Sequence, residues 1–128
     1  GDTVNRAARI ESLTKRYGAI LLLGERAHEQ LPDDHGFTIR EVDQVILKGK
    51  TKPVRLYEVI DALAPDDCAS RKASLASFRA GRDAWRRGAL EEAQEAFARC
   101  LHLDPSDLAA QVHLQRCASW KGQPLITS

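Results

Sequence analysis

The period of the apolar positions changes once along the chain, and that change divides it. Up to about residue 61 the pattern suits strands. Ala19–Leu23 is a short apolar run, and Thr38–Leu47 alternates in part through Ile39, Val42 and Val45, which predicts a longer strand. Glu25–Gln30, between them, reads as a short helix. Ala64-Pro65-Asp66-Asp67-Cys68-Ala69-Ser70 then breaks the strand pattern with a proline and two acids. From Lys72 onward the period is near 3.6. A first helix carries Leu75, Phe78, Arg79 and Arg82 and ends at Arg87-Gly88, where glycine can turn left-handed. Leu90–Leu103 follows, with Leu90, Ala93, Phe97, Cys100 and Leu101 at helical spacing. Asp104-Pro105-Ser106-Asp107 stops that helix and caps another, Leu108–Cys117. The resulting organisation is 1–61, a linker at 62–71, a helical region at 72–120 and a tail at 121–128.

The N-terminal residues add chemistry to this pattern. Asp2 is a good helix cap, and the helix it would start sets Asn5 and Arg9 four residues apart on one side. Together the two side chains offer up to about seven N–H donors to a phosphate or ribose oxygen. Spacing alone would leave them a surface pair.

Gly1-Asp2-Thr3-Val4-Asn5-Arg6-Ala7-Ala8-Arg9 resembles the G-(D/N)-T-V-N-x-A-x-R segment of class III nucleotide cyclases, the adenylate and guanylate cyclases. A separate stretch, Leu47-Lys48-Gly49-Lys50-Thr51-Lys52-Pro53-Val54-Arg55-Leu56-Tyr57-Glu58-Val59, is similar to the closing hairpin of the same domain. The resemblance covers roughly residues 1–61. It implies an α+β fold, the C-terminal third of a ferredoxin-like cyclase domain built as helix, strand, short helix and β-hairpin. It also implies roles: Asn5 orients the ribose, Arg9 stabilises the pentavalent phosphorus transition state, and Lys48 reaches the substrate phosphates. The implied reaction converts ATP or GTP to the 3′,5′-cyclic nucleotide and pyrophosphate in intracellular signalling. The metal aspartates of the family, which hold Mg2+ or Mn2+, are expected upstream of Gly1, so this stretch alone is expected to be inactive. Family members build the site across a dimer, so a homodimer of bacterial type is expected. Arg6 departs from the motif, where a small or apolar residue is usual, and can pair with Asp2.

Gly81, Ala93, Phe97 and Pro105 match the small, alanine, aromatic and proline positions of a tetratricopeptide repeat. Ala84 and Ala80 depart from it, and Trp85 is a candidate to fill the volume of the tyrosine that usually stands at position 84. One full repeat, about 74–107, and the first helix of a second are expected. Since a solenoid normally needs about three repeats, this region is expected to lean on the cyclase-like domain, on another chain or on a capping helix ending near Trp120, with an apolar surface left on its concave or terminal side.

Composition narrows the alternatives. Nineteen basic and eighteen acidic residues leave a net charge of +1, which argues against nucleic-acid and membrane-surface binding. Three widely spaced cysteines form neither a disulfide framework nor a zinc pattern, and read as buried thiols in a reducing, cytoplasmic setting. Methionine is absent, and the sequence opens inside the cyclase-like motif, so it reads as a fragment. His28-Glu29 fails as a zinc motif because position 32 is proline, and all four histidines read as surface residues. Lys50 and Lys52 suit a solvated hairpin whose lysines discourage edge pairing. The competing functional reading is an inactive cyclase remnant beside a docking scaffold.

Overall fold

A computed structural model describes residues 12–120, and these divide into two compact units between Ala62 and Leu63. The first unit opens with helix α1 at 12–17. Gly18, at φ 65°, ends it, and the Ala19 amide donates back to the Thr14 carbonyl at 3.0 Å. That six-to-one bond satisfies a carbonyl the helix end would otherwise leave open. Strand β1 (Leu22–Gly24), helix α2 (Glu25–Glu29), strands β2 (Ile39–Val45) and β3 (Val54–Val59) and a 3-10 turn (Ile60–Ala62) follow.

The three strands form an antiparallel sheet in the order β1-β3-β2. The apolar run at 19–23 contributes less strand than its composition predicts. Ala19 is held by the helix end, while Ile20 and Leu21 are exposed. Leu22, Val42, Val45, Leu56, Val59 and Ile60 form the core, joined by Leu13 and Tyr17 from α1.

The partial alternation of β2 has a structural cause. Glu41 pairs with Tyr57 and Asp43 with Leu56, so Val42 is an extra residue, a β-bulge. Arg40 and Val42 point inward before it, Asp43 and Val45 after it. A regular strand would send Asp43 outward, because side chains alternate with period two.

In the second unit, α3 (Pro65–Ala73), α4 (Leu75–Arg86), α5 (Leu90–Leu103) and α6 (Leu108–Ser119) pack together. Much of the stretch read as a linker is therefore helical. Pro65 sits in the first turn of α3, where its missing amide costs nothing. At Ser74 the chain barely breaks, since the Phe78 amide donates to the Ser74 carbonyl at 3.0 Å. Gly88 adopts φ 77° and closes α4 with bonds from Gly88 to Trp85 and from Ala89 to Ala84. Asp107 caps α6 by accepting from the Ala110 amide at 3.2 Å.

Phe97 is the centre of this unit. It is fully buried, packs edge-on to Phe78 at 5.6 Å and stacks on His113 at 5.0 Å. A Cβ built on Gly81 would lie 2.7–2.9 Å from three ring carbons of Phe97, so only glycine fits there without displacement. His113 is thus a core residue and not a surface histidine. Its imidazole fills an aromatic slot that spacing does not distinguish from an exposed position. His102 is exposed, while His28 stacks half-buried on Tyr57 at 3.8 Å. Of the mixed face predicted for α4, Phe78 and Arg82 are buried and Arg79 is exposed, while Gly81 and Ala84 are buried as well. Trp85 is half-buried. It meets Trp120 edge-on at 5.0 Å, while Ala84 is itself buried.

A buried ion pair ties the ends of the helices. Arg71 Nε lies 3.0 Å from Asp104 Oδ2, with both side chains nearly inaccessible. Arg71 also donates to the Ser106 carbonyl, and Ser106 Oγ donates to Asp104 Oδ1 at 2.7 Å. On the outer side of α6 stand Gln111, Gln115, Ala118 and Ser119, all exposed. Among the described residues of this unit, the exposed large apolar ones are Leu103, Leu108 and Trp120.

Candidate cyclase hairpin

The hairpin between β2 and β3 positions Lys48. Leu47 is buried and anchors the loop, and the Lys50 amide donates to the Leu47 carbonyl at 2.9 Å. Gly49, at φ 84°, occupies the third position of that turn, where an L side chain would cost about 1–2 kcal/mol. Lys48 is therefore at the exposed tip, with Lys50 and Lys52 exposed in the same loop. Such a loop presents cationic ammonium groups to solvent, and it could meet a phosphate without moving buried structure.

The base of the hairpin is held by charges the alternation pattern did not single out. Arg40 and Glu58 are direct cross-strand partners, and Arg40 Nε donates to Glu58 Oε1 at 2.6 Å with both side chains fully buried. Next to it, Tyr17 Oη donates to Asp43 Oδ2 at 2.6 Å, also buried. Asp43 Oδ1 accepts the Gln44 amide at 2.8 Å. Only the register of the two strands, with its bulge, places these groups inside. Glu25 completes the sheet edge: beyond the last β1 pair, Gly24 with Leu56, its carboxylate accepts the Arg55 amide at 2.7 Å. The Arg55 side chain is half exposed and 3.5 Å from Glu41, an ion pair of small energetic weight.

Asn5 and Arg9 fall in 1–11, outside the described residues. The structure therefore places Lys48 of the three predicted site residues. Among the described residues, no group of three or more His, Cys, Asp or Glu side chains could hold a metal ion. Cys68, Cys100 and Cys117 are free thiols, and burial pushes the Cys117 thiol up, partly opposed by Arg116. Among the described residues, no helix is long and apolar enough to cross a membrane.

Comparison with known proteins supplies the relation that geometry alone does not. No family profile and no solved structure matches the chain. It is 36% identical over 118 residues, 91% of its length, to the terminal-differentiation-specific adenylate cyclase of Dictyostelium discoideum. It is 42% identical over 60 residues, 46% of its length, to an adenylate cyclase of Anabaena cylindrica. The first match is too long to fit within either unit and so crosses both. The chain spans 6% and 12% of the length of these two relatives. One of them is a eukaryotic protein, so the similarity is not confined to bacterial cyclases. This chain carries a region related to adenylate cyclases.

Proposed function

We propose that residues 1–61 are the C-terminal part of a class III cyclase catalytic domain that makes a 3′,5′-cyclic nucleotide and pyrophosphate. The observation that carries the reading is the joint presence of two separated motifs, around Asn5 and Arg9 and around Lys48, in a chain similar to adenylate cyclases. Both relatives are adenylate cyclases, which favours ATP over GTP. Asn5 would hold the ribose, Arg9 would meet charge developing on the α-phosphate, and Lys48 would grip phosphate oxygens. Donors fixed in advance of the reaction are typically worth a few kcal/mol each, because they need no reorganisation as charge develops. The exposed tip position of Lys48 supports its part in this scheme. Mg2+ or Mn2+, when bound by aspartates upstream of Gly1, would activate the 3′-hydroxyl and neutralise the triphosphate. A homodimer in which one chain supplies these metals and the other the Asn5–Arg9 pair completes the reading.

The helical unit is read as a tetratricopeptide-like pair, α4 and α5, followed by the first helix of a second repeat. Supporting this is the contact between Gly81 and Phe97, the small and aromatic positions of that pattern. The test of the catalytic reading is kinetic and uses the full-length protein that carries this sequence. Arg9→Ala should lower kcat by about 10²–10³ with little change in KM, since the contact is made mainly in the transition state. Lys48→Ala should raise KM as well as lower kcat. Wild-type turnover by Arg9→Ala would refute the assignment.

A further inference from the structure

We propose that Lys50 and Lys52 are specificity-determining residues, which act with Lys48 as a long-range electrostatic trap and select a polyanionic substrate by its charge. This rests on the catalytic reading above, which gives a phosphate contact to Lys48 alone. The lysines alternate along Lys48–Lys52, and all three are exposed. Their Cα atoms lie within about 14 Å of one another, since four residues of extended chain reach no farther. From Val45 to Tyr57 the sequence contains no acidic residue.

Two observations set this cluster apart from an ordinary solvated loop. The first is that the carboxylates of the hairpin strands are engaged away from its tip. Asp43 accepts from Tyr17, Glu58 is paired with buried Arg40, and Glu41 lies beside Arg55. Among the described residues no ion pair involves Lys48, Lys50 or Lys52, so their positive charge is not offset locally. The second is position. Val45 and Val54 form the last pair of the β2–β3 ladder, and the lysines lie beyond it, where they have no strand edge to guard. Buried Leu47 and left-handed Gly49 fix the turn, so the charges start from set backbone positions. An ammonium on a flexible stem is a strongly hydrated point charge, suited to attraction at a distance. Such a field draws in a triphosphate and leaves an uncharged nucleoside indifferent.

The test uses the full-length protein that carries this sequence, with ATP as substrate and inorganic tripolyphosphate as the competing polyanion. It is run at ionic strengths of about 0.02 M and about 0.3 M, between which the screening length falls from roughly 20 Å to roughly 6 Å. Lys50→Gln with Lys52→Gln should raise KM for ATP and Ki for tripolyphosphate about three- to tenfold at the lower ionic strength. At the higher one the rise should be less than about twofold, with kcat within about twofold at both. Lys50→Arg with Lys52→Arg keeps the charge and should keep the wild-type values. Unchanged KM and Ki at low ionic strength overturn the proposal, as does a wild type that tripolyphosphate does not inhibit. A rise that persists at high ionic strength also overturns it, because it would come from a direct contact or a distorted loop. So does a failure of the arginine pair to restore KM. If Arg9→Ala turns over at the wild-type rate, the catalytic reading itself fails, and that result is distinct from a failure of Lys50 and Lys52.

Discussion

Gly81→Ala offers the sharpest check on the packing of the helical unit, because two effects of opposite sign compete there. Alanine favours a helix interior over glycine by about 1 kcal/mol. Against this, the new methyl would sit 2.7–2.9 Å from Cζ, Cε1 and Cε2 of Phe97, well inside contact distance. The ring has little room to yield: Phe78 meets its edge, His113 lies parallel on it at 17°, and it is fully buried. Overpacking of a core typically costs about 1–3 kcal/mol, and a rigid ring blocked on several sides belongs at the upper end. The expected net loss is about 1–2 kcal/mol, which in a unit of this size lowers Tm by roughly 5–15 °C. The assay is convenient, since both tryptophans of the chain, Trp85 and Trp120, lie in this unit and meet each other. Their fluorescence during urea or thermal unfolding reports the helical unit selectively. In a Phe97→Leu background the sign should reverse, because the smaller side chain makes room for the methyl and leaves only the helix-propensity gain. Neutral or stabilising behaviour of Gly81→Ala with Phe97 intact would refute the overlap argument.

Four other outcomes follow from the same packing. Arg71→Ala should destabilise by about 3–5 kcal/mol, because it strips the partner from buried Asp104, whereas Arg71→Met with Asp104→Leu should cost far less in urea unfolding. Among the three thiols, half-buried Cys68 should react first with a soluble disulfide reagent, while Cys100 and Cys117 should wait for unfolding. Since burial raises the folded-state thiol of Cys117, its contribution to stability is complete below the unfolded thiol pKa of about 8.5 and lost as pH rises through the higher folded value. Cys117→Ala should therefore lose less stability than wild type between about pH 7 and about pH 10. Gln111→Arg, on the outer side of α6, should change the unfolding free energy by no more than about 0.5 kcal/mol, and a larger loss would mean that this side is covered.

The parts of the fold that were legible in the sequence are those decided by neighbours in the chain. The helix ends at Gly88 and Asp107 follow from a glycine that tolerates positive φ and a side chain that reaches its own backbone. The hairpin turn at Gly49 is local in the same way. What was not legible depends on partners far along the chain. Arg40 and Asp43 look like polar breaks in an alternating strand until register and bulge set them against Glu58 and Tyr17. Arg71 looks like part of a charged linker until the α5–α6 turn brings Asp104 to it. His113 reads as a surface histidine because spacing carries no information about the aromatic rings on either side of it. Lys48 was legible as a position in a motif, and the structure adds that it stands at the tip of a rigidly based turn.

The size of the helical unit poses a problem that the same long-range contacts answer. On the proposed reading of one and a half repeats, the unit has two open sides, and stacked repeats normally close each other. Here the N-terminal side is flanked by α3, whose Arg71 reaches into the α5–α6 turn, while the Ser74 carbonyl, just past α3, accepts a weak bond from Cys100 Sγ at 3.8 Å. The C-terminal side is closed by α6. Its inner positions Ala109, Ala110, His113 and Cys117 are buried, while Gln111, Gln115, Ala118 and Ser119 are exposed on its outer side and Leu108 is exposed at its start. Gln111, Gln115, Ala118 and Ser119 gain little by leaving water. The small residues along α6 also let the helix approach Phe97 closely, which is what allows an imidazole to complete the aromatic cluster. The described helices are thus held together by a buried ion pair between α3 and the α5–α6 turn and by the buried face of α6 around Phe97.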